Sequence, residues 1–478
     1  MFLEQQGKSL KGFLEKDRKK IDQILFILLI IQPLLDVFSF FMVENNMTIF
    51  STLMRMALFG VVTLYTFIIS DNKKAYFIAA GILGVFWILH MVGCFMEGYQ
   101  SIYQDLAMFV RTVQMPVFTL CFITIFKKGN DVPKTIRTAF VCNYIIISAV
   151  IIASYAVGMP ESAYPTGIGV KGWFAISNAQ SCIISLLAPL TLYWAVKNKN
   201  KILSLIVVII AYANLFFYGT KVSYYFIFIS LFSMIFFMVI NKKKDIAMYV
   251  ILIGCMVVCG GAYKYSPCYE NNYLMQASMD EWDADISKIQ EEDKAHKDPQ
   301  EKLTMKDYEK IYNLYNGELV DRFGIEKVVE KYNYSTYAVD LIDNRKLKVN
   351  YSSLMMDEKG KMAHLFGFEY MDFVHDGESF EPENDFPAVY FSNGIVGLAM
   401  YLIFIAYFLV LIVMKLFKKF WKTLTLEAGA VGTTLVLMLG AAQLSGNVLR
   451  RPNVTIYFSL ILAYVYYLCK LQKEEIDE

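Results

Sequence analysis

The chain has 478 residues, of which 56% are hydrophobic and 19% are charged, with a formal net charge of +1. A soluble domain typically carries about 25% charged residues. Here the apolar residues collect in runs long enough to cross a hydrocarbon core of ~30 Å. The composition therefore excludes a soluble globular protein and predicts an all-α polytopic membrane protein. Nothing in it suggests binding to nucleic acid.

Hydropathy predicts about twelve membrane spans. In chain order they cover residues 22–43, 49–70, 75–95, 105–127, 136–158, 174–196, 201–218, 222–240, 246–264, 389–414, 428–447 and 453–470. The connections that follow even-numbered spans are rich in lysine, as in "NKKKD" and "KLFKKFWK". Because Lys and Arg accumulate in cytoplasmic loops, this alternation predicts a multi-pass protein with both termini in the cytoplasm.

The connection between spans nine and ten differs from the others in length and in charge. Residues 265–388 contain 27 acidic and 14 basic residues, a net charge of −13, which leaves +14 for the rest of the chain. Because long structureless loops are rare in compact proteins, we expect a mostly helical extracytoplasmic loop. The predicted organisation is a membrane domain over 1–264, a loop subdomain over 265–388 and a membrane domain over 389–478.

Three ionisable residues fall inside predicted spans, where a charge is costly and usually has a task. Asp36, Arg55 and Arg111 lie on three different spans, each about 9–10 Å below the outer end of its helix at 1.5 Å per residue. Two interpretations stay open. Asp36 neutralises Arg55 or Arg111 inside the bundle, or the charges face a ligand.

Further cations lie at predicted outer turns, against the usual positive-inside distribution. Lys221 follows "FFYGT", and Arg450 and Arg451 lie in "NVLRRPN". The two arginines could extend to lipid headgroups. A surplus of outward-facing cations also suits an anionic ligand such as a phosphate or diphosphate, which Arg and Lys bind without a metal ion.

Other patterns carry less weight. Asp283 and Asp285 in "EWDADIS" match the DxD pattern that holds a metal-bound nucleotide in some glycosyltransferases, but a solvated helix face explains them better. His90, His296 and His364 have no partner at metal-ligand spacing and are interpreted as structural. The sequence predicts no metal and no cofactor.

Three stretches, in this order, carry a resemblance to a known family. They are "GIGVKGWFAISNAQSCIISLLAPL" (167–190), "FFYGTKVSYYFIFISLF" (216–232) and "ENDFPAVYFSNGIVGLAMYL" (383–402). Together with "VDRFGIEKVVEKY" and "HLFGFEY" before the third stretch, they resemble motifs of the bacterial O-antigen ligase and O-antigen polymerase family. In the second stretch Lys221 replaces the usual Arg. In the third, Glu383 falls where ligases commonly have His, and Asn384 matches the family Asn.

The resemblance implies a membrane glycosyltransferase. Such an enzyme would move a glycan from a polyprenyl-diphosphate carrier to the hydroxyl of an acceptor glycan or lipid, on the outer face of the bacterial cytoplasmic membrane. The acceptor hydroxyl then needs a base, and the leaving diphosphate needs preorganised cations. A transporter or flippase of lipid-linked oligosaccharide is the alternative, and a cell-surface sensor is a third reading.

Under this hypothesis Glu383 is the candidate base and Asp385 the second choice. Asp36 is a third choice only if no arginine pairs with it. The expected diphosphate binders are Arg111, Lys221 and Arg322, with Arg55 and Arg451 in reserve. One base suffices for an inverting displacement. Because Arg and Lys can hold the leaving diphosphate without a metal ion, we expect a metal-independent transfer.

Overall fold

The structure is a computed structural model that describes residues 2–294, 303–444, 446 and 448–472. Its first nine helices are α1 (Phe2–Glu44), α2 (Thr48–Ile69), α3 (Lys73–Met96), α4 (Ile102–Lys128), α5 (Val132–Ala156), α6 (Ser177–Lys197), α7 (Lys201–Tyr218), α8 (Lys221–Ile240) and α9 (Ile246–Gly261). Several begin at side chains that cap free backbone amides. Asn200, Thr220 and Asp245 each accept a hydrogen bond from the third following residue and so set the starts of α7, α8 and α9.

The described part of the acidic connection folds into one long helix, six shorter helices and one hairpin. Its elements are α10 (Pro267–Lys294), α11 (Met305–Tyr315), α12 (Gly317–Phe323), α13 (Ile325–Lys331), α14 (Ala338–Leu341), α15 (Asn344–Glu358), α16 (Lys361–Phe366), β1 (Val374–His375) and β2 (Glu378–Ser379). The antiparallel strands turn at Asp376 and Gly377, which both have positive φ, as a two-residue Asp-Gly hairpin requires.

The chain ends in three more helices: α17 (Asp385–Thr423), α18 (Leu426–Leu444) and α19 (Pro452–Tyr466), the last continued by a π-helical turn to Leu471. Among the described residues, eleven helices are long and apolar enough to cross a membrane. The prediction of an all-α polytopic membrane protein is therefore confirmed.

The ninth predicted span differs from the others. The sequence predicts it over 246–264, whereas α9 has 16 residues and ends at Gly261. At 1.5 Å per residue it is about 24 Å long. A 3₁₀ turn over Tyr263–Tyr265 and the start of α10 at Pro267 follow at once. The apolar run is continued by a turn rather than by helix, so composition alone overestimated the helix length.

The chain divides into two compact units, which we call the first and the second unit. The first comprises Met1–Ala80, Arg111–Glu270 and Ile403–Glu478, and the second comprises Gly81–Val110 and Asn271–Leu402. These units follow from packing, whereas the domains predicted over 1–264, 265–388 and 389–478 follow from membrane topology and stay a prediction.

Each unit has its own core. In the first unit α6 is buried along nearly its whole length and packs against α5, α7, α8 and α18, which is why it is apolar or small on every face. In the second unit α10–α16 enclose a cluster rich in aromatic residues, with Tyr351 stacked on Phe380 at 4.3 Å between ring centroids.

Two glycines of the second unit allow close backbone contact. A Cβ on Gly367 would lie 2.2 Å from the carbonyl carbon of Ser392, and one on Gly394 would lie 2.3 Å from that of Leu365. Both residues have positive φ, a conformation that favours glycine. The segment after α16 is thereby packed directly on the start of α17.

Candidate functional site

The first unit contains a cavity of about 230 Å³ with a charged and polar lining. Its walls come from α1, α2, α4, the segment before α6, the first turn of α6 and the start of α19. The charged and amide side chains among the lining residues are Asp36, Arg55, Arg111, Gln114, Gln180, Arg451 and Asn453. The cavity therefore gathers four of the ionisable residues that the sequence singled out in and near the spans.

One arginine of the cavity is paired. Arg55 Nη2 donates to Asp36 Oδ1 at 2.5 Å and to Ser39 Oγ at 3.2 Å, and Ser51 also donates to Ser39. Asp36 is 6% exposed, so the pair is buried. The condition that would have made Asp36 a third candidate base is not met, because an arginine neutralises it.

The other two arginines leave the cavity with a surplus of positive charge. Arg111 is half-buried on α4 and forms no ion pair with any residue that the structure describes. Arg451 lies at the N-cap of α19. The lining residues thus carry three guanidinium groups against one carboxylate. A site with this balance favours a ligand with negative charge.

Two buried glutamines line the same cavity. Gln114 and Gln180 are each 2% exposed. Gln114 Oε1 and Gln180 Nε2 have no hydrogen-bond partner among the described residues. Buried polar atoms are nearly always paired, and rotation of the amide exchanges its donor and acceptor atoms. The two side chains are therefore available to bind a polar ligand in the cavity.

Sequence reasoning missed both glutamines. Gln114 lies three residues after Arg111 on α4, on the same helix face. Gln180 lies in the first family-like stretch. The three-residue spacing of Arg111 and Gln114 indicates a shared helix face. An uncharged amide in an apolar run is, however, a weaker sign of a binding site than a charged residue.

The first family-like stretch forms one wall of the cavity through Phe174, Ala175 and Ile176. The stretch is held in place by the backbone, since Val170 N donates to Phe217 O at 2.9 Å. Gly169 has a φ of +76°, and a Cβ there would lie 2.3 Å from the carbonyl oxygen of Tyr218. A glycine is required at this close approach.

Lys221 belongs to the same unit but does not line this cavity. It is the first residue of α8 and is exposed. The preceding Thr220 is buried and bonds to the hydroxyl groups of Ser181 and Ser223. The second family-like stretch therefore has an ordered turn that presents its lysine to the surface.

In the second unit, Glu383 lies between two cations. Its carboxylate is 3.4 Å from Lys348 Nζ and 3.5 Å from Arg345 Nε, and its side chain is 24% exposed. Asn384 follows it, and Asp385 begins α17 and is fully buried. Of these three candidates, Glu383 is the carboxylate with partial access to solvent.

Arg322 of the second unit is also paired. Its Nη2 atom lies 3.1 Å from Glu358, which also contacts Lys327 at 3.0 Å. Burial opposes the charge of Glu358, but Lys327 and Arg322 outweigh it and lower the pKa of the carboxyl. The guanidinium expected to bind diphosphate is thus engaged by a carboxylate of its own unit.

The DxD pattern has local partners. Asp283 accepts a hydrogen bond from Ala338 N at 2.8 Å, and Asp285 pairs with Lys288 one turn further along α10. Both contacts agree with the reading of this stretch as a helix face.

The interpretation of His90 needs a correction. From the sequence we assigned no ligand-type partner to His90 and overlooked Cys94, four residues later on α3. The structure places both Cys94 and Asp105 beside His90. Asp105 comes from the next helix, so linear spacing could not reveal it. His364 lies in the last turn of α16, and His296 falls outside the described residues.

Two comparisons with known proteins bear on identity. The model of one family, described as O-antigen ligase like membrane protein, matches residues 18–474, which is nearly the whole chain. A search of the curated proteins returned no match. The resemblance stated from three stretches is therefore confirmed over a much longer range.

Proposed function

The chain belongs to the O-antigen ligase-like membrane protein family, and on that premise we propose that it transfers a glycan from a polyprenyl-diphosphate carrier to an acceptor hydroxyl. Membership supports, in the broad sense, a polysaccharide ligase or polymerase embedded in a membrane. The lipid-diphosphate donor, the acceptor and the outer face of a bacterial plasma membrane as the place of reaction are parts of the proposal.

The observation that carries the proposal is the cavity with three arginines and one carboxylate. Asp36 neutralises Arg55, and Arg111 forms no ion pair with any described residue, so Arg111 supplies excess positive charge. Arginine binds phosphate oxygens in a planar, bidentate geometry and keeps its charge when partly buried. Such preorganised cations stabilise the charge that develops on a leaving diphosphate, without Mg²⁺ or Mn²⁺.

The buried glutamines support a polar ligand in the same cavity. An apolar ligand would leave Gln114 Oε1 and Gln180 Nε2 without partners at a cost of about 1–3 kcal/mol each. Phosphate oxygens or sugar hydroxyls would satisfy the amide donors, and hydroxyls would also satisfy the acceptor. The lining therefore suits the junction between a diphosphate and a sugar better than it suits a lipid chain.

For the base we propose Glu383, with Asp385 as the second choice. A base must accept the proton of the acceptor hydroxyl as it attacks, and a partly exposed carboxylate can reach such a proton. Lys348 and Arg345 hold Glu383 in place.

We further propose Lys221 and Arg322 as accessory phosphate contacts. We infer cytoplasmic termini from the lysine-rich connections.

The lipid-linked glycans of a strain that lacks the gene provide the test. A polymerase predicts that single repeat units accumulate on the carrier at the outer membrane face, and a ligase predicts that long chains accumulate there. Either outcome supports the proposal if the wild-type gene restores transfer and Arg111→Ala does not. Accumulation at the inner face would indicate a flippase and contradict the proposal.

A further inference from the structure

The second unit contains a buried cluster of His90, Cys94 and Asp105. One ligand atom of each residue lies within 4.8 Å of the other two, and the side chains are 2%, 4% and 3% exposed. His90 and Cys94 are four residues apart in α3 and so share one helix face, while Asp105 lies in the first turn of α4. We propose that these three residues bind a transition-metal ion, with Zn²⁺ as the best match.

The orientation of His90 supports this assignment. Its Nδ1 lies 2.7 Å from the carbonyl oxygen of Phe366, and this contact fixes Nδ1 as the N–H donor. Nε2 then points to Asp105 Oδ2 at 2.9 Å and to Cys94 Sγ at 3.5 Å. A histidine that ligates a metal commonly donates its other ring N–H to a backbone carbonyl in this way.

The distances suit a tetrahedral ion. With Zn–N near 2.0–2.1 Å and Zn–S near 2.3 Å, two ligand atoms of one ion are about 3.3–3.8 Å apart. The Nε2–Sγ distance of 3.5 Å falls in this range, and the Nε2–Oδ2 distance of 2.9 Å opens to it with a small rotation of the carboxylate. Tyr99 donates to Asp105 Oδ2 at 2.5 Å and positions that group.

The protons and charges balance. With no metal bound, both ring nitrogens of His90 face oxygen acceptors, so the ring carries two protons and Cys94 carries its thiol proton. A divalent ion replaces the Nε2 proton and the thiol proton. One ion of charge +2 enters and two protons leave, which leaves the net charge of the buried cluster unchanged.

The surroundings favour a cation. Glu369 accepts hydrogen bonds from Gln100 N and Ser101 N at 2.6 and 2.9 Å, and Asp372 pairs with Lys359 at 2.8 Å. A cavity of about 10 Å³, close to the space of one water molecule, lies against Cys94, Lys359 and these two carboxylates.

The ion would have a structural role in the second unit. It would join α3 to α4, and through the contact of His90 with Phe366 it would also hold the end of α16. The softer thiolate and imidazole ligands select Zn²⁺ over Mg²⁺. This site is separate from the transfer chemistry proposed above, which uses arginines.

Metal analysis of the full-length protein tests the proposal. The protein is purified in detergent with an affinity tag that lacks histidine, and its metals are measured by mass spectrometry. We expect about one zinc per chain in the wild type and at least a tenfold loss in Cys94→Ala. Cys121→Ala, which changes another buried cysteine of a spanning helix, should keep its zinc. Equal loss in both variants would overturn the assignment.

Cobalt binding gives an independent readout, and its first step needs only the wild-type protein. Wild-type protein stripped of metal and titrated with Co²⁺ should develop a thiolate-to-cobalt charge-transfer band. Cys94→His should still bind cobalt, because a nitrogen ligand replaces sulfur, but should lose that band. Wild-type protein that copurifies with no metal and gives no cobalt band would refute the site.

Discussion

The two units treat their charges in opposite ways. The first unit gathers three arginines and one carboxylate around a cavity, and two buried glutamines there keep an atom without a partner. Among the described residues of the second unit, several partly buried charges are paired, as in Arg322 with Glu358 and Lys346 with Asp340. A charge that is paired inside the protein is already stabilised by its partner. A cavity with an excess of positive charge is stabilised when it binds an anionic ligand. The difference directs the search for a phosphate site to the first unit.

The largest effect is expected at Glu383. This residue is paired with cations of the second unit, yet we propose it as the base. Glu383→Gln keeps the shape of the side chain and removes its basicity, so transfer should fall by about 10²–10⁴-fold. Glycan transfer in membranes with equal amounts of protein measures this. Glu378→Gln, in the exposed strand β2, is the matched control. Full activity in Glu383→Gln would show that Glu383 is not the base and that its ion pairs only stabilise the structure.

The next effect concerns the paired charges of the first unit. Asp36→Asn leaves Arg55 without its buried carboxylate, and the loss of one partner of a buried pair costs about 3–5 kcal/mol. The thermal unfolding temperature in detergent should fall accordingly. The double variant Asp36→Asn with Arg55→Met should recover much of that loss. No recovery would show that the two residues do not act as a pair.

A smaller effect is expected at Gln114, where substitution should leave stability unchanged or higher but weaken ligand binding. Gln114→Leu removes a buried polar atom without a partner, so the unfolding temperature should stay the same or rise. The affinity for inorganic diphosphate should fall by about tenfold, since a rotated Gln114 amide would donate its N–H to a charged phosphate oxygen and leucine cannot. Lower stability with unchanged affinity would mean that the amide serves the fold.

The smallest effect is expected at Lys221, because an exposed cation is screened by solvent. Lys221→Ala should lower transfer several-fold, and Lys221→Arg should retain nearly all of it if positive charge at the start of α8 is what matters. Transfer rates at low and at high salt separate the cases. Equal rates for the two variants would indicate that Lys221 has no role in phosphate binding.

The fold was largely readable from the sequence because hydrocarbon thickness dictates the length of apolar runs. The exception was α9, where two glycines and a 3₁₀ turn end the helix inside an apolar run. Local composition cannot distinguish an apolar helix from an apolar turn.

Only part of the candidate site could be predicted from the sequence. The similar depth of Asp36, Arg55 and Arg111 allowed an ion pair of Asp36 with either arginine or a ligand for the charges, and the structure shows the pair with Arg55. The partners of Arg322 and Glu383 lie 36 and 35 residues away, and Asp105 reaches His90 from another helix. Such contacts depend on folding, so no spacing in the chain could predict them.

The binding of inorganic diphosphate to the purified protein tests the central claim most directly. Titration calorimetry on the wild type, Arg111→Ala and Arg137→Ala compares the cavity with an arginine of the same unit that stacks on Tyr193. We expect the wild type to bind diphosphate and Arg137→Ala to bind it with the same affinity. Arg111→Ala should bind it about 10–100-fold more weakly, because a charge-assisted contact is lost. Equal affinity in all three proteins would contradict the claim.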